Sequence, residues 1–267
     1  MRSPRLLIIL LASITAVVIA VFVLTITNTS PRDIPADPGT TPAPTERTFP
    51  DLPPTTIPLP PTTDLFGNRL EVPNDESGVA LAQDPSTRTD PASPDYLTTP
   101  PARMQWQRGW GGAALPASGS DGPARISDGI ATGFAHTPQG AALAAADALA
   151  RALAAPDRVW QQIVRERYYG GGHALLDRFA RSRERTRDAA RYVVVPDGVR
   201  IQPGYRDDLA LVQFATHNDI GYTISTWPMA WIDGDWHVRV PENIETLWGP
   251  GTSAFSLAGF GVWKAVS

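Results

Sequence analysis

The feature that most constrains the fold of this chain is a stretch of 20 residues without a charged side chain close to its amino terminus, residues 6–25, from Leu6 to Thr25. The stretch is rich in Leu, Ile, Val and Ala. A helix rising about 1.5 Å per residue crosses the roughly 30 Å hydrocarbon layer of a bilayer with about this many residues. We therefore predict a transmembrane helix over residues 6–25.

The charges on either side of this stretch predict its orientation. Arg2 and Arg5 precede it, and the first charges after it are Arg32 and Asp33. The positive-inside rule makes residues 1–5 a cytoplasmic tip and places the rest of this single-pass cell-membrane protein outside the cell. A cleaved signal peptide is the alternative, but its apolar region runs only about 7–15 residues and ends in a small-x-small site, which is not obvious after Ala20. We expect the anchor to be retained.

Residues 26–101 have the composition of a linker. They hold 17 of the 27 prolines, mixed with Thr, Ser and Asp, and show no helical or strand period. Eleven acidic residues stand against four basic ones. Since proline favours an extended backbone of about 3.1 Å per residue, we predict a disordered, proline-rich stalk that holds a folded domain away from the bilayer. Residues 64–67 and 94–97 carry apolar side chains that are candidates for docking on that domain.

All eight tryptophans lie between Trp106 and Trp263, which predicts an extracytoplasmic folded domain over residues 102–267. Its 17 basic and 16 acidic residues nearly cancel, and the whole chain has a net charge of −4, so we predict no nucleic-acid binding. The absence of cysteine from the sequence excludes a disulfide scaffold, a thiolate zinc site and a cysteine nucleophile.

Local patterns predict helices first and strands afterwards. Thr137 is a candidate cap with Pro138 at the first helical position, and the helix continues to Ala154. A second helix follows Pro156 and stops at residues 170–172, three glycines, and a third covers residues 174–191. Strand-like runs follow at residues 192–195, 199–205, 209–216, 222–231 and 236–240, and Asp233-Gly234 is a hairpin turn. The class is α+β, with three helices packed on one curved antiparallel sheet.

This layout resembles the cone-shaped nuclear-transport-factor-like (cystatin-like) domains of membrane-tethered conjugation and type IV secretion components. Residues 133–141 (GFAHTPQGA), 115–118 (LPAS), 122–123 (GP) and 231–236 (WIDGDW) are also similar to uncharacterised exported proteins of actinobacteria, many associated with mobile elements. The resemblance implies a cone-like fold, an exported location and an assembly role, and it implies no activity.

Few residues are candidates for chemistry. His136 precedes the predicted cap, where histidine more often packs or caps than catalyses. Asp233-Gly234-Asp235 has the oxygen ligands that calcium prefers, but a hairpin turn needs the same residues. The remaining candidate bases are carboxylates whose spacing singles out no pair: Asp177, Asp207, Asp208, Glu242 and Glu245. We predict no catalytic residue, no metal and no cofactor, and we predict that the protein is not an enzyme.

Two regions are candidates for an interface. The first is the basic stretch on the third helix, with Arg178, Arg181 and Arg185, which alternatively is a solvated surface. The second is the apolar carboxyl-terminal stretch with Trp248, Phe255, Phe260 and Trp263. We predict a membrane-anchored assembly component that binds the protein subunits of a membrane complex, possible copies of itself included. The alternatives are a domain that binds a small molecule, lipid or cell-wall fragment, and an exported enzyme.

Overall fold

The computed structural model describes residues 59–264. These residues form a mixed α+β structure with three α-helices and three sheets. The helices are α1 (Pro138–Ala154), α2 (Val159–Arg167) and α3 (Gly172–Arg185). Short 3-10 helices lie between the strands, and two of them, Ala189–Tyr192 and Ile244–Trp248, contribute to the surfaces described below.

The strands divide among the three sheets as follows. A four-stranded sheet has the order β1 (Leu59–Thr63), β2 (Arg69–Val72), β3 (Gln105–Arg108) and β4 (Ala114–Ala117). β5 (Arg125–Ser127) and β6 (Ile130–Thr132) form a hairpin. The six-stranded sheet has the order β7 (Tyr168–Tyr169), β11 (Asp235–Arg239), β10 (Gly221–Ile232), β9 (Leu209–Asn218) and β8 (Gly198–Ile201), and β12 (Thr252–Ala254) also pairs with β10.

Helix α1 is the centre of the described body. It contacts β4 of the four-stranded sheet as well as β8, β9, β10 and β11 of the six-stranded sheet. Most of its residues are buried, and alanine predominates among them, so both sheets approach the helix closely. Gly140 lets the loop before the helix approach as well, because a Cβ there would lie 2.0 Å from the backbone oxygen of Ala135. The helix start is confirmed, since the Thr137 hydroxyl accepts a hydrogen bond from the Gly140 N–H at 2.9 Å.

An ion pair lies inside this helix. Arg151 Nε donates to Asp147 Oδ1 at 2.6 Å, and the side chains are 1% and 0% exposed. Arg151 Nη1 also donates to the carbonyls of Ser77, at 2.8 Å, and Gly129, at 2.9 Å. Burial raises the pKa of Asp147, and the adjacent guanidinium partly offsets that effect. The pair therefore joins α1 to two segments that are distant in the sequence.

The predicted disordered stalk is wrong for residues 59–101, which we call the strap. The strap supplies β1 and β2 and then continues over the body through turns and a 3-10 helix, Pro85–Thr87, held by bonds from distant residues. Gln139 donates to the Tyr96 carbonyl at 2.6 Å, and Trp263 Nε1 donates to the Thr98 carbonyl at 2.8 Å. Proline suits this role because it has no backbone N–H to satisfy and fits turns and the first position of a short helix, as Pro85 does.

The predicted single curved sheet, and with it the cone, is also wrong. Residues 105–132 carry no clear period, yet they form β3 to β6 outside the six-stranded sheet. Helix α1 consequently packs between two sheets instead of on one face of one sheet. The predicted transmembrane helix, residues 6–25, and the linker up to residue 58 lie outside the described residues. Among residues 59–264, no helix has both the length and the apolar character to cross a bilayer.

The individual elements match the sequence unevenly. The hairpin at Asp233-Gly234 is confirmed, with Ile232 opposite Asp235 and both turn residues at positive φ. The third helix ends at Arg185, six residues earlier than predicted, and Asp188 then adopts a left-handed conformation. The prediction that three glycines cap α2 is wrong, because β7 intervenes and Gly171 is the amino-terminal cap of α3.

Arg151→Ala tests the buried ion pair. It leaves the Asp147 carboxylate buried without its charge partner, so we expect a loss of about 3–5 kcal/mol in the free energy of unfolding. The double variant Asp147→Leu/Arg151→Met removes both charges, and we expect its stability to lie between those of the single variant and the wild type, since the Ser77 and Gly129 carbonyls still lose a donor. Denaturant titration measures both, and a double variant less stable than the single one would contradict this account.

Candidate functional site

Three of the predicted interface residues, Arg178 and Arg181 of α3 and Trp248 of the carboxyl-terminal segment, form one cluster. Arg178 Nε donates to Glu245 Oε2 at 2.9 Å, and the Arg178 guanidinium lies over the Trp248 ring, 4.5 Å from its centroid. Trp248 in turn packs edge-on against Phe179 of the core at 4.9 Å. Arg181 is farther from the same carboxylate, at 3.9 Å. This cluster fixes the 3-10 helix Ile244–Trp248 to α3, so Arg178 and Trp248 have a structural role.

The other arginines of this region divide by exposure. Arg183 donates through Nη1 to the carbonyls of Ala152 and Leu153 and through Nη2 to that of Ala155, which caps the carboxyl terminus of α1. Three arginines are exposed and have no ion pair within residues 59–264, and we call them the arginine end: Arg185, Arg187 and Arg191. Arg187 and Arg191 line a cavity of about 320 Å³ together with Arg183 and Asp188.

The four carboxyl-terminal aromatic residues do not form one surface. Trp263 is 2% exposed, and its carbonyl accepts a hydrogen bond from Trp106 Nε1 at 2.8 Å. Together with its bond to Thr98, this makes Trp263 a core residue between the strap and β3. Phe260 is half-buried beneath the guanidinium of Arg200, at 4.2 Å. Phe255, by contrast, is 86% exposed.

Phe255 has an exposed apolar neighbour that the sequence analysis missed. Ile220, in the turn between β9 and β10, is 73% exposed. β12 pairs with the start of β10, and a Cβ on Gly221 would lie 3.4 Å from the Phe255 Cα. Phe255 and Ile220 therefore project from one end of the six-stranded sheet, and we call this pair the apolar tip. Strand alternation does not reveal it because both residues lie outside the strands.

The predicted chemical candidates lie apart from one another. His136 stacks on Trp231 at 3.9 Å with an interplanar angle of 10°, and its Nε2 bonds to the Asp207 carbonyl, which is a packing role. The carboxylates considered as bases are exposed: Asp177, Asp207, Asp208, Glu242 and Glu245. Within the described part of the chain, no group of three or more His, Asp or Glu residues is placed to hold a metal ion.

Sequence reasoning missed a second buried ion pair. Arg167 Nη1 donates to Asp235 Oδ2 at 2.9 Å, and Asp235 also accepts the backbone N–H groups of Gly133, Phe134 and Trp236. Asp235 therefore belongs to the core, where it holds the loop before α1 against β11. His237 is close by, with Nδ1 3.2 Å from the Asp235 carbonyl. Burial lowers the pKa of His237, and the charge of Arg167 adds to that effect.

A cleft of about 470 Å³ opens where β7 meets α3. Its floor includes Val164, Leu175 and Leu176, and Arg165 and His173 contribute polar groups. Gly170, Gly171 and Gly172 form its rim, all three with positive φ. A smaller apolar cavity of about 160 Å³ lies among Trp106, Phe214 and their neighbours.

Comparison with known families gives one result. The model of a family described as a domain of unknown function (DUF8175) matches residues 71–262, which is more than half of the chain. The chain therefore belongs to this family. The matched range includes most of the strap as well as the three helices and the six-stranded sheet. No curated protein and no solved structure matches the chain.

Trp263 and Phe255 allow a matched test of core against surface. We expect Trp263→Ala to lower the free energy of unfolding by about 3–5 kcal/mol, because it opens a cavity in the core, and to speed amide exchange in the strap. Phe255→Ala should change stability by no more than about 0.5 kcal/mol, since the ring is exposed. Denaturant titration with hydrogen exchange measures both effects. A Trp263→Ala protein of wild-type stability would show that this tryptophan is not a core residue.

The lowered pKa of His237 predicts a pH dependence. In the unfolded chain histidine titrates near pH 6.5, whereas in the folded protein His237 binds its proton only at lower pH. Below neutral pH the unfolded state therefore binds more protons, and the free energy of unfolding falls as the pH drops through about 6.5 toward the folded-state pKa. His237→Gln should flatten this slope between pH 7 and 5, and His173→Gln, at an exposed histidine, should keep it. Equal slopes in both variants would contradict the assignment.

Proposed function

We propose that this protein is a single-pass membrane-anchored assembly component, with its amino terminus in the cytoplasm, whose α+β domain binds other protein subunits outside the membrane. The observation that supports this most directly is the apolar tip. A phenylalanine and an isoleucine on neighbouring backbone segments are 86% and 73% exposed, the highest values among the exposed large apolar residues of the described body. Large apolar side chains grouped on a surface are typical of sites for protein contact.

The fold itself gives no reason for the tip. Ile220 and Phe255 pack against little of the core, so substituting polar residues there should cost almost no stability. Gly221 lets the two segments approach closely, because a side chain would collide with the Ala254 carbonyl at 2.5 Å. The backbone segments that carry Ile220 and Phe255 are thus neighbours, and neither side chain is buried. A partner surface that covers both would gain roughly 25 cal/mol for each Å² of apolar area removed from water.

The predicted anchor supplies the other half of the proposal. A transmembrane helix over residues 6–25 confines the domain to a thin layer beside the bilayer, which raises its effective concentration for any subunit of the same membrane. The proposed placement in a conjugation or type IV-like secretion apparatus is supported by the tethered layout and by the local sequence resemblance. The partner is therefore proposed by chemistry, as a membrane-complex subunit with an apolar recess, and a second copy of this chain qualifies.

One observation favours a second candidate function, the binding of a small ligand. The cleft between β7 and α3 has a volume of about 470 Å³, within the range of about 300–1,000 Å³ that is usual for ligand sites. Its floor is apolar, and Arg165 and His173 lie at its sides. The cavity near Trp106, at about 160 Å³, is below that range. A ligand in the cleft would require α3 and not the apolar tip.

Site-specific photo-crosslinking in native membranes tests the proposal. A photoreactive phenylalanine analogue replaces Phe255 in the full-length chain, and the same analogue at Tyr169, an exposed aromatic residue at the cleft side of the body, is the matched control. We expect a discrete protein adduct from position 255 and not from position 169. We also expect Ile220→Ser to reduce that adduct several-fold, since the two side chains share one surface.

The adduct pattern decides between the candidates. A 255-specific adduct with a membrane protein or with a second copy supports the proposal. Equal labelling at both positions, or no adduct at position 255 in membranes that contain the complete complex, overturns it. A stabilising small molecule that co-purifies with the protein and is lost in Leu176→Trp, which fills the cleft, would establish the second candidate instead.

A further inference from the structure

The arginine end is a second surface that the apolar tip does not explain. Residues 177–191 carry six arginines against three acidic residues, whereas the whole chain has a net charge of −4. The three helix-side arginines Arg178, Arg181 and Arg183 have partners in the fold. Arg187 and Arg191 have no ion pair in the described part of the chain, although both line one concave surface. Unpaired guanidinium groups grouped in this way suit an anionic ligand.

The arginine end lies beside the first described residues of the strap. Arg191 lines a second cavity, of about 280 Å³, together with Thr63, Asp64 and Leu65. Gly111 lines both this cavity and the one with Arg187, so the two are neighbours. The chain that arrives from the amino-terminal region therefore joins the body next to its unpaired arginines. Residues 26–58 span at most roughly 100 Å when extended at about 3.1 Å each, which keeps this end within reach of a bilayer that holds residues 6–25.

Exposed apolar side chains accompany these charges. Leu65 and Phe66 in the turn after β1, and Tyr192 directly after Arg191, are each close to half exposed. Basic side chains mixed with aromatic and aliphatic ones are the composition of protein surfaces that bind at the headgroup level of a membrane. An acidic protein partner would use the arginines alone and gives no reason for Leu65, whereas Phe66 already packs against His217, with the ring centroids 3.9 Å apart.

We infer that the arginine end, with Leu65 and Tyr192 beside it, docks on anionic phospholipid headgroups of the membrane that carries the anchor. This inference rests on the proposed anchor. Docking at this surface would orient the body against the bilayer, and the proposal leaves the apolar tip, at the turn between β9 and β10, for a protein partner. The acidic residue of the Arg187 cavity, Asp188, weakens its attraction for anionic lipids. Docking therefore needs several lipids at once and is strongest at low salt.

Energy transfer in reconstituted bilayers tests the inference with the full-length protein. Because the sequence has no cysteine, Ala180→Cys on the exposed side of α3 gives a single labelling site for a fluorescent donor. The protein is placed in nanodiscs that carry a headgroup acceptor and contain either phosphatidylcholine alone or about 30% phosphatidylglycerol. We expect the docked fraction, measured by transfer, to rise at least about fivefold relative to the undocked fraction with phosphatidylglycerol, and to fall back in about 0.5 M salt.

Matched variants assign the effect to the arginine end. Arg187→Gln/Arg191→Gln should abolish the rise, Arg187→Lys/Arg191→Lys should retain most of it, and Arg125→Gln/Arg239→Gln, which removes two exposed arginines elsewhere, should retain it fully. Circular dichroism verifies that the variants fold. Loss of the rise by 10 mM inorganic phosphate would show that a soluble anion fills the site and overturn the membrane assignment.

The experiment distinguishes failure of the proposed anchor from failure of the docking inference. If the chain does not enter either nanodisc, the proposed anchor has failed. If it enters both and transfer is the same with and without phosphatidylglycerol, the anchor stands and the docking inference is overturned. Equal loss of transfer in the Arg125/Arg239 variant would likewise overturn it, since the effect would then follow net charge and not this surface.

Discussion

Two opposite charges inside the most deeply buried helix set the conditions for the rest of the fold. Asp147 and Arg151 are stable there because each offsets the charge of the other, although Asp147 Oδ2 has no hydrogen-bond partner, and because Arg151 finds two more acceptors, the carbonyls of Ser77 and Gly129. One acceptor belongs to the strap and the other to the turn between β5 and β6. If either segment were displaced, the Arg151 guanidinium would lose a hydrogen-bond acceptor in the buried interior. The central helix, the strap and the hairpin are therefore expected to fold and unfold together.

Because buried side chains need hydrogen-bond acceptors, the proline-rich strap has a structural role in the core. A tether needs no contact with the domain that it carries, but the strap supplies an acceptor to Arg151, to Gln139 and to Trp263. Its backbone polar groups are thus partners of buried side chains. Any pull on the chain at residue 59 acts on the core directly, through these bonds.

Local signals in the sequence were sufficient for the parts of the fold that local interactions decide. Thr137 and Pro138 marked the start of α1, and Asp233-Gly234 marked the hairpin, because a cap and a tight turn involve only neighbouring residues. The prediction for the strap is wrong because high proline content has the same appearance in a disordered linker and in a segment of turns bound by distant side chains. The candidate site divides in the same way. Arg178 and Trp248 were both named, but their contact depends on α3 meeting a segment about 70 residues away, and the burial of Trp263 depends on the strap.

The arginines show that one residue type has several different roles in this protein. Arg151 compensates a buried carboxylate, Arg183 caps α1, Arg178 holds Trp248, and Arg187 and Arg191 contact solvent. The first three are fixed by the core, so any change in them alters stability before it alters binding. Arg187, Arg191, Ile220 and Phe255 are all exposed, so substitutions there should cost the fold little. The contacts proposed for the tip and for the arginine end would both be made by one body, which the buried charges of α1 hold together.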